Sequence, residues 1–212
     1  MKYTAIVVAN GVGERMNLGY NKVYHKLKDG KTILRHAMNL FMLDEECTQI
    51  IVVTSADDFK ASWDEFWPGK IMVVRGGNTR QESVFNGIRV ALEDYIFIHD
   101  GARPYLEEKE LNDLKNSMLL HDACILAVPC KDTIKMVHED NIEETLKREK
   151  LYAAHTPQAF KRDLLVKCFD KAIEDNYVGT DDSSLAERYS NVKVRIVIGS
   201  YNNIKITTTE DL

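Results

Sequence analysis

Two stretches of this chain set glycines beside fixed positive charge. Ala9-Asn10-Gly11-Val12-Gly13-Glu14-Arg15-Met16, with Lys22 behind it, follows the apolar run Tyr3–Val8, and Arg75-Gly76-Gly77-Asn78-Thr79-Arg80-Gln81-Glu82-Ser83-Val84 follows the run Ile71–Val74. A buried strand that empties into glycines lets backbone N–H groups come close to a ligand, and cations beside them suit phosphate oxygens. A third strand, Tyr95–Ile98, runs into His99-Asp100-Gly101-Ala102-Arg103-Pro104. A carboxylate at that point can hold Mg²⁺ against phosphates; it could equally cap its turn or pair with Arg103. His99 reads as a side chain packed at the strand end. Together these residues suit phosphoryl or nucleotidyl transfer, which runs on positioning and charge neutralisation rather than on a covalent nucleophile.

Other chemistries lack their residues. A dinucleotide fingerprint needs a third glycine where Met16 stands, which weakens an NAD-dependent oxidoreductase, and the P-loop pattern is absent. There is no G-x-S-x-G, and no His/Cys cluster has zinc spacing. Thr180-Asp181-Asp182-Ser183 reads as a helix N-cap with substrate contact as a second role, and Lys205, between Ile204 and Ile206, as a solvent-facing strand lysine.

The elements that must position these groups follow from periodicity. Thr32 caps a helix over 33–43, 50–54 is a buried strand, and 56–67 is a helix ended by Pro68-Gly69 with Trp63 and Phe66 in the core. Helices over 80–92 and 107–120 and a strand over 123–128 complete four strand–loop–helix units. Such a succession predicts an α/β fold with a mostly parallel sheet, helices on both faces, and the ligand loops gathered at the carboxyl ends of the strands. From 131 to 150 the pattern becomes a β-hairpin: a strand over 131–137, a polar turn over 138–144, then 145–148. A hairpin standing off the sheet has little core of its own, so it usually packs on something, often a second subunit. Residues 151–158 return to the sheet, 161–176 is a helix, 194–198 a strand and 203–207 a short closing strand.

With 212 residues, 44% hydrophobic and 29% charged, the chain reads as one globular domain. Its formal net charge of -5 opposes a general nucleic-acid binder. No apolar run approaches the roughly 20 residues of a membrane helix, and the N-terminus lacks a leader pattern. Four scattered cysteines fit reduced thiols of a cytoplasmic protein.

Along nearly its whole length the chain resembles the 2-C-methyl-D-erythritol 4-phosphate cytidylyltransferase family. The matching pieces are the two glycine stretches and Lys22, His99–Pro104, Lys131-Asp132-Thr133, Thr156-Pro157-Gln158-Ala159-Phe160, Thr180–Ser183 and Asn203–Thr208. The resemblance implies a Rossmann-like, GT-A-like three-layer sandwich that joins CTP to a polyol phosphate and releases pyrophosphate, with Mg²⁺ as cofactor. It implies that Arg15 and Lys22 stabilise the transition state, and that Asp100 binds the metal. Ala9, Asn10, Gly11, Gly13, Gly77, Asn78, Arg80, Ser83, Asp100 and Ala102 would hold the nucleotide. Arg148 and Lys205 would position the polyol phosphate, with Arg103, Thr133, Thr156 and Thr180 around it. The arm over 131–150 would reach across a homodimer. Asn10 departs from the family's pattern and narrows the expected base pocket; Asn21 replaces a proline and leaves the φ before Lys22 unfixed. The chain ends at Leu212, where relatives usually continue into another helix. Ribitol-5-phosphate cytidylyltransferases resemble the chain in the same loops, but Gly101-Ala102 and Asp181-Asp182 favour methylerythritol phosphate. A non-catalytic nucleotide-binding relative is opposed by the presence of Arg15, Lys22, Asp100, Arg148 and Lys205.

Overall fold

The structure, a computed structural model, describes residues 1–11, 19–55, 58 and 69–212. The expected helix over 56–67 lies, apart from residue 58, outside these residues, as do Trp63, Phe66 and Pro68. Nine strands are described: β1 (Tyr3–Val8), β2 (Cys47–Thr54), β3 (Ile71–Arg75), β4 (Tyr95–Asp100), β5 (Ala123–Pro129), β6 (Lys135–His138), β7 (Asn141–Thr145), β8 (Tyr152–Lys161) and β9 (Arg195–Ile198). Five α-helices accompany them: α1 (Ile33–Leu43), α2 (Arg80–Ile88), α3 (Glu108–Met118), α4 (Arg162–Glu174) and α5 (Asp182–Tyr189).

Seven strands form one sheet in the order β3-β2-β1-β4-β8-β5-β9. Every described pair is parallel except those that β8 makes with β4 and β5. Strand residues alternate between two cores, as the period of two requires. Tyr3, Ala5, Val7, Ile50 and Val52 pack under α1 and α3 with Leu34, Met38, Leu111 and Leu114. Ile6, Ile51, Val53, Ile96 and Ile98 pack under α2, α4 and α5 with Val84, Ile88, Leu165, Phe169 and Leu185. Strands covered on both faces explain the unbroken apolar runs and give the expected three layers. α2 sits close because Gly87 has no side chain: a β-carbon there would lie 2.7 Å from Ile6.

Several boundaries differ from those the sequence suggests. α2 ends at Ile88 rather than 92, because Val90 and Ala91 donate to Gly87 and Ile88 in a tightened last turn. The polar turn of the hairpin shrinks to Glu139 and Asp140, both at positive φ (45° and 63°), the pairing that a two-residue hairpin loop needs. Its first strand begins at Lys135, not 131. The expected closing strand over 203–207 is absent. That backbone is held by the site instead, with Arg103 donating to Asn203 O at 2.6 Å and Ile206 N to Ala102 O at 2.8 Å. Among the described residues no helix is long and apolar enough to cross a membrane, and Cys47, Cys124, Cys130 and Cys168 are all free thiols.

Candidate active site

The carboxyl ends of β1 and β4, the loop after β3 and the segment around Lys205 enclose a cleft of about 410 Å³. That volume falls within the range of small-molecule sites. Of the expected nucleotide-site residues, Ala9, Asn10, Gly11, Gly77, Asn78, Arg80, Ser83, Asp100 and Ala102 line it, with Lys22 and Lys205. Gly13 and Arg15 lie outside the described residues.

Each wall is locked by local bonds. Thr79 caps α2 by accepting Glu82 N at 3.0 Å, and the Ser83 hydroxyl donates to Thr79 O at 2.9 Å while accepting Gly77 N at 3.1 Å. Ser83 therefore shapes the glycine loop and is not poised as a nucleophile. Asn10 lies flat over the same loop, its Nδ2 donating to Gly77 O at 2.9 Å. A β-carbon on Gly76 would overlap the Asn10 carboxamide, so a side chain there would displace Asn10 from Gly77. The expected narrowing by Asn10 thus takes the form of a lace between two loops. Asn21 also corrects its expectation. Its φ is −65°, the value a proline would impose, and its side chain donates to Ala9 O at 2.6 Å.

Charge is concentrated at the floor. Asp100 ends β4 nearly buried, with Arg80 Nε at 3.3 Å from Oδ1 and Lys205 Nζ at 2.8 Å from Oδ2; Arg103 Nε stands 3.8 Å from Oδ2. Burial alone would raise the carboxyl, but Arg80 and Lys205 hold it well below the usual carboxylate range, so it is ionised. Lys205 is exposed, as its alternation suggests, but its ammonium turns onto Asp100 at 2.8 Å, so Asp100 pairs with more than Arg103. Arg80 is gripped from the far side by Asp182, 2.8 Å from Nη2. Although burial depresses Arg80, the two carboxylates more than reverse this and keep it charged. Burial pushes Asp182 up, and Arg80 opposes that.

His99 is fully buried and shared between Arg103 O (3.0 Å from Nε2) and the Thr156 hydroxyl (3.0 Å from Nδ1). A carbonyl accepts only from N–H, so the proton sits on Nε2 and Nδ1 accepts from Thr156. Burial pushes this histidine down to about 4, so it is neutral packing, as its strand-end position implies. Thr156 accepts Asp100 N at 3.0 Å, and Asn203 Nδ2 donates to Thr156 O at 3.0 Å. Arg103, Thr156 and Asn203 thus lie behind Asp100 as its support. Thr133 and Thr180 are exposed and outside the cleft wall, and Arg148, also exposed, donates to Lys131 O at 2.7 Å on the arm. The unforeseen member is Asp182. Asp181 alone caps α5, accepting Ser184 N at 2.9 Å, so the second acidic residue was the available signal.

A mostly parallel sheet whose loops gather glycines, cations and one ionised carboxylate, with no activated nucleophile among the described residues, is the apparatus of a nucleotidyltransferase. Comparison with known proteins narrows the class: the model of the 2-C-methyl-D-erythritol 4-phosphate cytidylyltransferase (IspD) family matches residues 3–212, and the chain belongs to that family. It is 41% identical over 217 residues to the 2-C-methyl-D-erythritol 4-phosphate cytidylyltransferase of Halalkalibacterium halodurans, covering 100% of this chain and 94% of that protein. It is 42% identical over 220 residues to that of Caldanaerobacter subterraneus subsp. tengcongensis, covering 100% and 96%. The crystal structure of the Francisella tularensis enzyme superposes with a TM-score of 0.87 at 33% identity, covering 100% of this chain and 96% of that one. The 4-diphosphocytidyl-2C-methyl-D-erythritol synthase of Anaerococcus prevotii gives 0.86 at 34%, covering 99% and 92%.

Proposed function

We propose that the chain transfers CMP from CTP to 2-C-methyl-D-erythritol 4-phosphate and releases pyrophosphate, a step toward isoprenoid precursors. The observation that carries this reading is the pairing of Arg80 and Lys205 with Asp100 in a cleft that Lys22 also lines and glycine loops wall. A phosphate oxygen of the polyol attacks the α-phosphorus of CTP, the bond to the β-phosphate oxygen breaks opposite it, and pyrophosphate leaves. Lys22, with Arg15, neutralises charge that grows on the α-phosphoryl oxygens. Ala9, Asn10 and Gly11 face the triphosphate and base from one wall, and Gly77, Asn78, Arg80, Ser83 and Ala102 do so from the other; Gly13 is assigned to the nucleotide site by the family pattern alone. Lys205 draws the polyol phosphate in, with Arg103 and Thr156 beneath it and Thr180 at the rim.

The donor set fits Mg²⁺ only in company with a nucleotide. Asp100 is an ionised carboxylate, but among the described residues no group of three or more His, Cys, Asp or Glu could hold an ion. Mg²⁺ favours one or two carboxylates plus substrate phosphates, so Asp100 would hold the ion together with the triphosphate. The bound ion would neutralise phosphate charge and orient the departing pyrophosphate.

The chain is further read as one domain that works as a homodimer in the cytoplasm, bound to neither nucleic acid nor membrane. The arm supports the dimer: Ile134, Met136, Val137 and Ile142 are exposed on a two-stranded ribbon whose pairing is with itself. Arg148 and Thr133, which do not line the cleft of their own chain, would then serve the cleft of the other.

The test is pyrophosphate release from CTP and Mg²⁺, with 2-C-methyl-D-erythritol 4-phosphate compared against ribitol 5-phosphate. Release with the first alone is expected. Release with ribitol 5-phosphate alone would transfer the enzyme to another polyol, and silence with both would remove the reaction.

A further inference from the structure

We propose that Asn21 is a positioning residue for Lys22: its carboxamide clamps the turn that carries the lysine onto the end of β1, in place of the torsional constraint a proline would supply. The inference rests on the role given to Lys22 above. Asn21 is 7% exposed, and both ends of its amide are engaged. Nδ2 donates to Ala9 O at 2.6 Å, and Oδ1 accepts from Val23 N at 3.3 Å. Only this orientation of the amide works, because a carbonyl cannot donate and a backbone N–H cannot accept.

The anchor itself is rigid. Ala9 follows β1 directly, its N donates to Val53 O at 2.8 Å, and its O also receives the Thr54 hydroxyl at 3.2 Å. Thr54 Oγ1 in turn shares a hydrogen bond with Tyr24 Oη at 2.7 Å. Lys22 therefore sits between two tethers, Asn21 before it and Tyr24 after it, and both lead to the same carbonyl. Within the turn, Tyr24 N donates to Asn21 O at 3.0 Å and His25 N to Lys22 O at 2.9 Å, which closes Lys22–Tyr24 as one tight unit. Val23, 3% exposed, seats that unit in the core and fixes its depth. Asn21 fixes its distance from the loop that would face the triphosphate.

A purely structural need does not call for a carboxamide here. Ala9 O already has a donor in Thr54, and capping Val23 N requires only an acceptor such as serine. What the longer amide adds is a link between the β1 loop and the backbone of Lys22, whose flexible four-carbon stem magnifies any shift of its root. A misplacement of about 1 Å in such a group can lower turnover about 10²-fold without weakening binding.

The test compares Asn21→Ala, Asn21→Ser and Asn21→Pro with Lys22→Ala in the full chain. Pyrophosphate release from CTP, Mg²⁺ and 2-C-methyl-D-erythritol 4-phosphate gives kcat and KM, and thermal unfolding is followed alongside. Asn21→Ala, and Asn21→Ser, which keeps the cap but cannot reach Ala9 O, should lower kcat about 10- to 100-fold. The KM for CTP should stay within about 2-fold and the melting temperature within a few degrees. Asn21→Pro, which restores φ by covalent means, should recover most of the loss. Wild-type kcat in Asn21→Ser beside an impaired Lys22→Ala would overturn the clamp and leave the role of Lys22 standing. So would a kcat loss that tracks a fall in melting temperature and that proline does not repair. Wild-type turnover in Lys22→Ala, or silence of the unaltered chain, would take away the role of Lys22 and the clamp with it.

Discussion

The cleft and the arm are built on opposite terms. In the cleft, charge is mutually held: the buried Asp182 and Asp100, with the half-buried Arg80 between them and the exposed Lys205 beyond, form a chain of ion pairs at 2.8, 3.3 and 2.8 Å. In the arm, all four residues of β6 and all five of β7 are exposed, and apolar side chains stand in solvent. Buried charges must be paired by the chain that carries them, so the cleft is organised before any ligand arrives. A two-stranded ribbon has no second layer, so the arm is complete only against another surface. A single chain thus carries a preorganised cleft and, on the proposed reading, an arm that awaits a second chain, and damage to each should leave different traces.

Lys22→Ala cuts the cleft's chemistry most deeply. Loss of one preorganised donor at a developing charge lowers kcat about 10²- to 10³-fold. The far-UV spectrum and melting temperature should stay near wild type, because the turn keeps its backbone bonds. Turnover within a factor of two of wild type would put Lys22 outside the mechanism.

The cleft should also be acid-sensitive through His99. The unfolded chain protonates this residue near its ordinary value of 6.5, whereas burial holds the folded one down to about 4. Between those values the unfolded state binds the extra proton, so stability falls as pH drops and returns as pH rises. The expected loss across the window is about 3 kcal/mol. His155, lowered to about 4 by burial and Arg103, acts in the same direction. The depressed carboxyl of Asp100 contributes stability above its unfolded value, and that contribution is lost only as pH falls below about 4. Urea titrations at pH 7.0 and 4.5 would measure the loss, and His99→Gln should shrink it. Equal midpoints in the unaltered chain would contradict a neutral, buried His99.

The two regions also differ in how far the sequence reveals them. β1, β2 and β4 are covered on both faces, so their apolar runs are visible without a structure, and the loops after β1, β3 and β4 carry glycines and cations in plain view. The direction of β8 is not encoded in its side chains. It pairs antiparallel with β4 and β5 because the chain leaves the sheet through the arm and re-enters from it. Residues 203–207 alternate like a strand, yet Arg103, Ala102 and Thr156 take their polar groups, and side-chain pattern alone cannot report that competition. The grip of Asp182 on Arg80 joins residues 102 positions apart, so the doubled acid at 181–182 could signal a surplus carboxylate but not its partner. Asn21 was visible as a missing proline, but its bonds to Ala9 and Val23 depend on the fold.

Arg148→Ala links arm to cleft and tests whether two chains share a site. Alone it should lower turnover about 10- to 100-fold, since it removes one cation from the polyol phosphate. Mixed in equal amounts with Lys22→Ala and allowed to exchange subunits, it should regain activity. Half the dimers are then mixed, each with one intact site, giving about a quarter of wild-type activity. With exchange confirmed by differently tagged chains, failure to recover would place Arg148 and Lys22 in service of the same chain or of nothing shared.

The smallest effect on the fold should come from Ile142→Lys at the arm's exposed face, where the side chain is 63% accessible. Nothing in the cleft or either core touches it, so the monomer's stability should shift by no more than about 0.5 kcal/mol. A charge placed at the centre of an apolar contact is poorly tolerated, however, and sedimentation should show the dimer dissociating at concentrations where the unaltered chain stays paired. CTP binding should persist in each separated chain, because the nucleotide wall is built from one chain alone. Pyrophosphate release should fall with the dimer, because Arg148 and Thr133 would no longer reach the other cleft. A variant that sediments as a monomer yet turns over at the wild-type rate would show that the cleft needs nothing from the arm. An unaltered chain that is monomeric from the start would leave the arm's apolar face to a different partner.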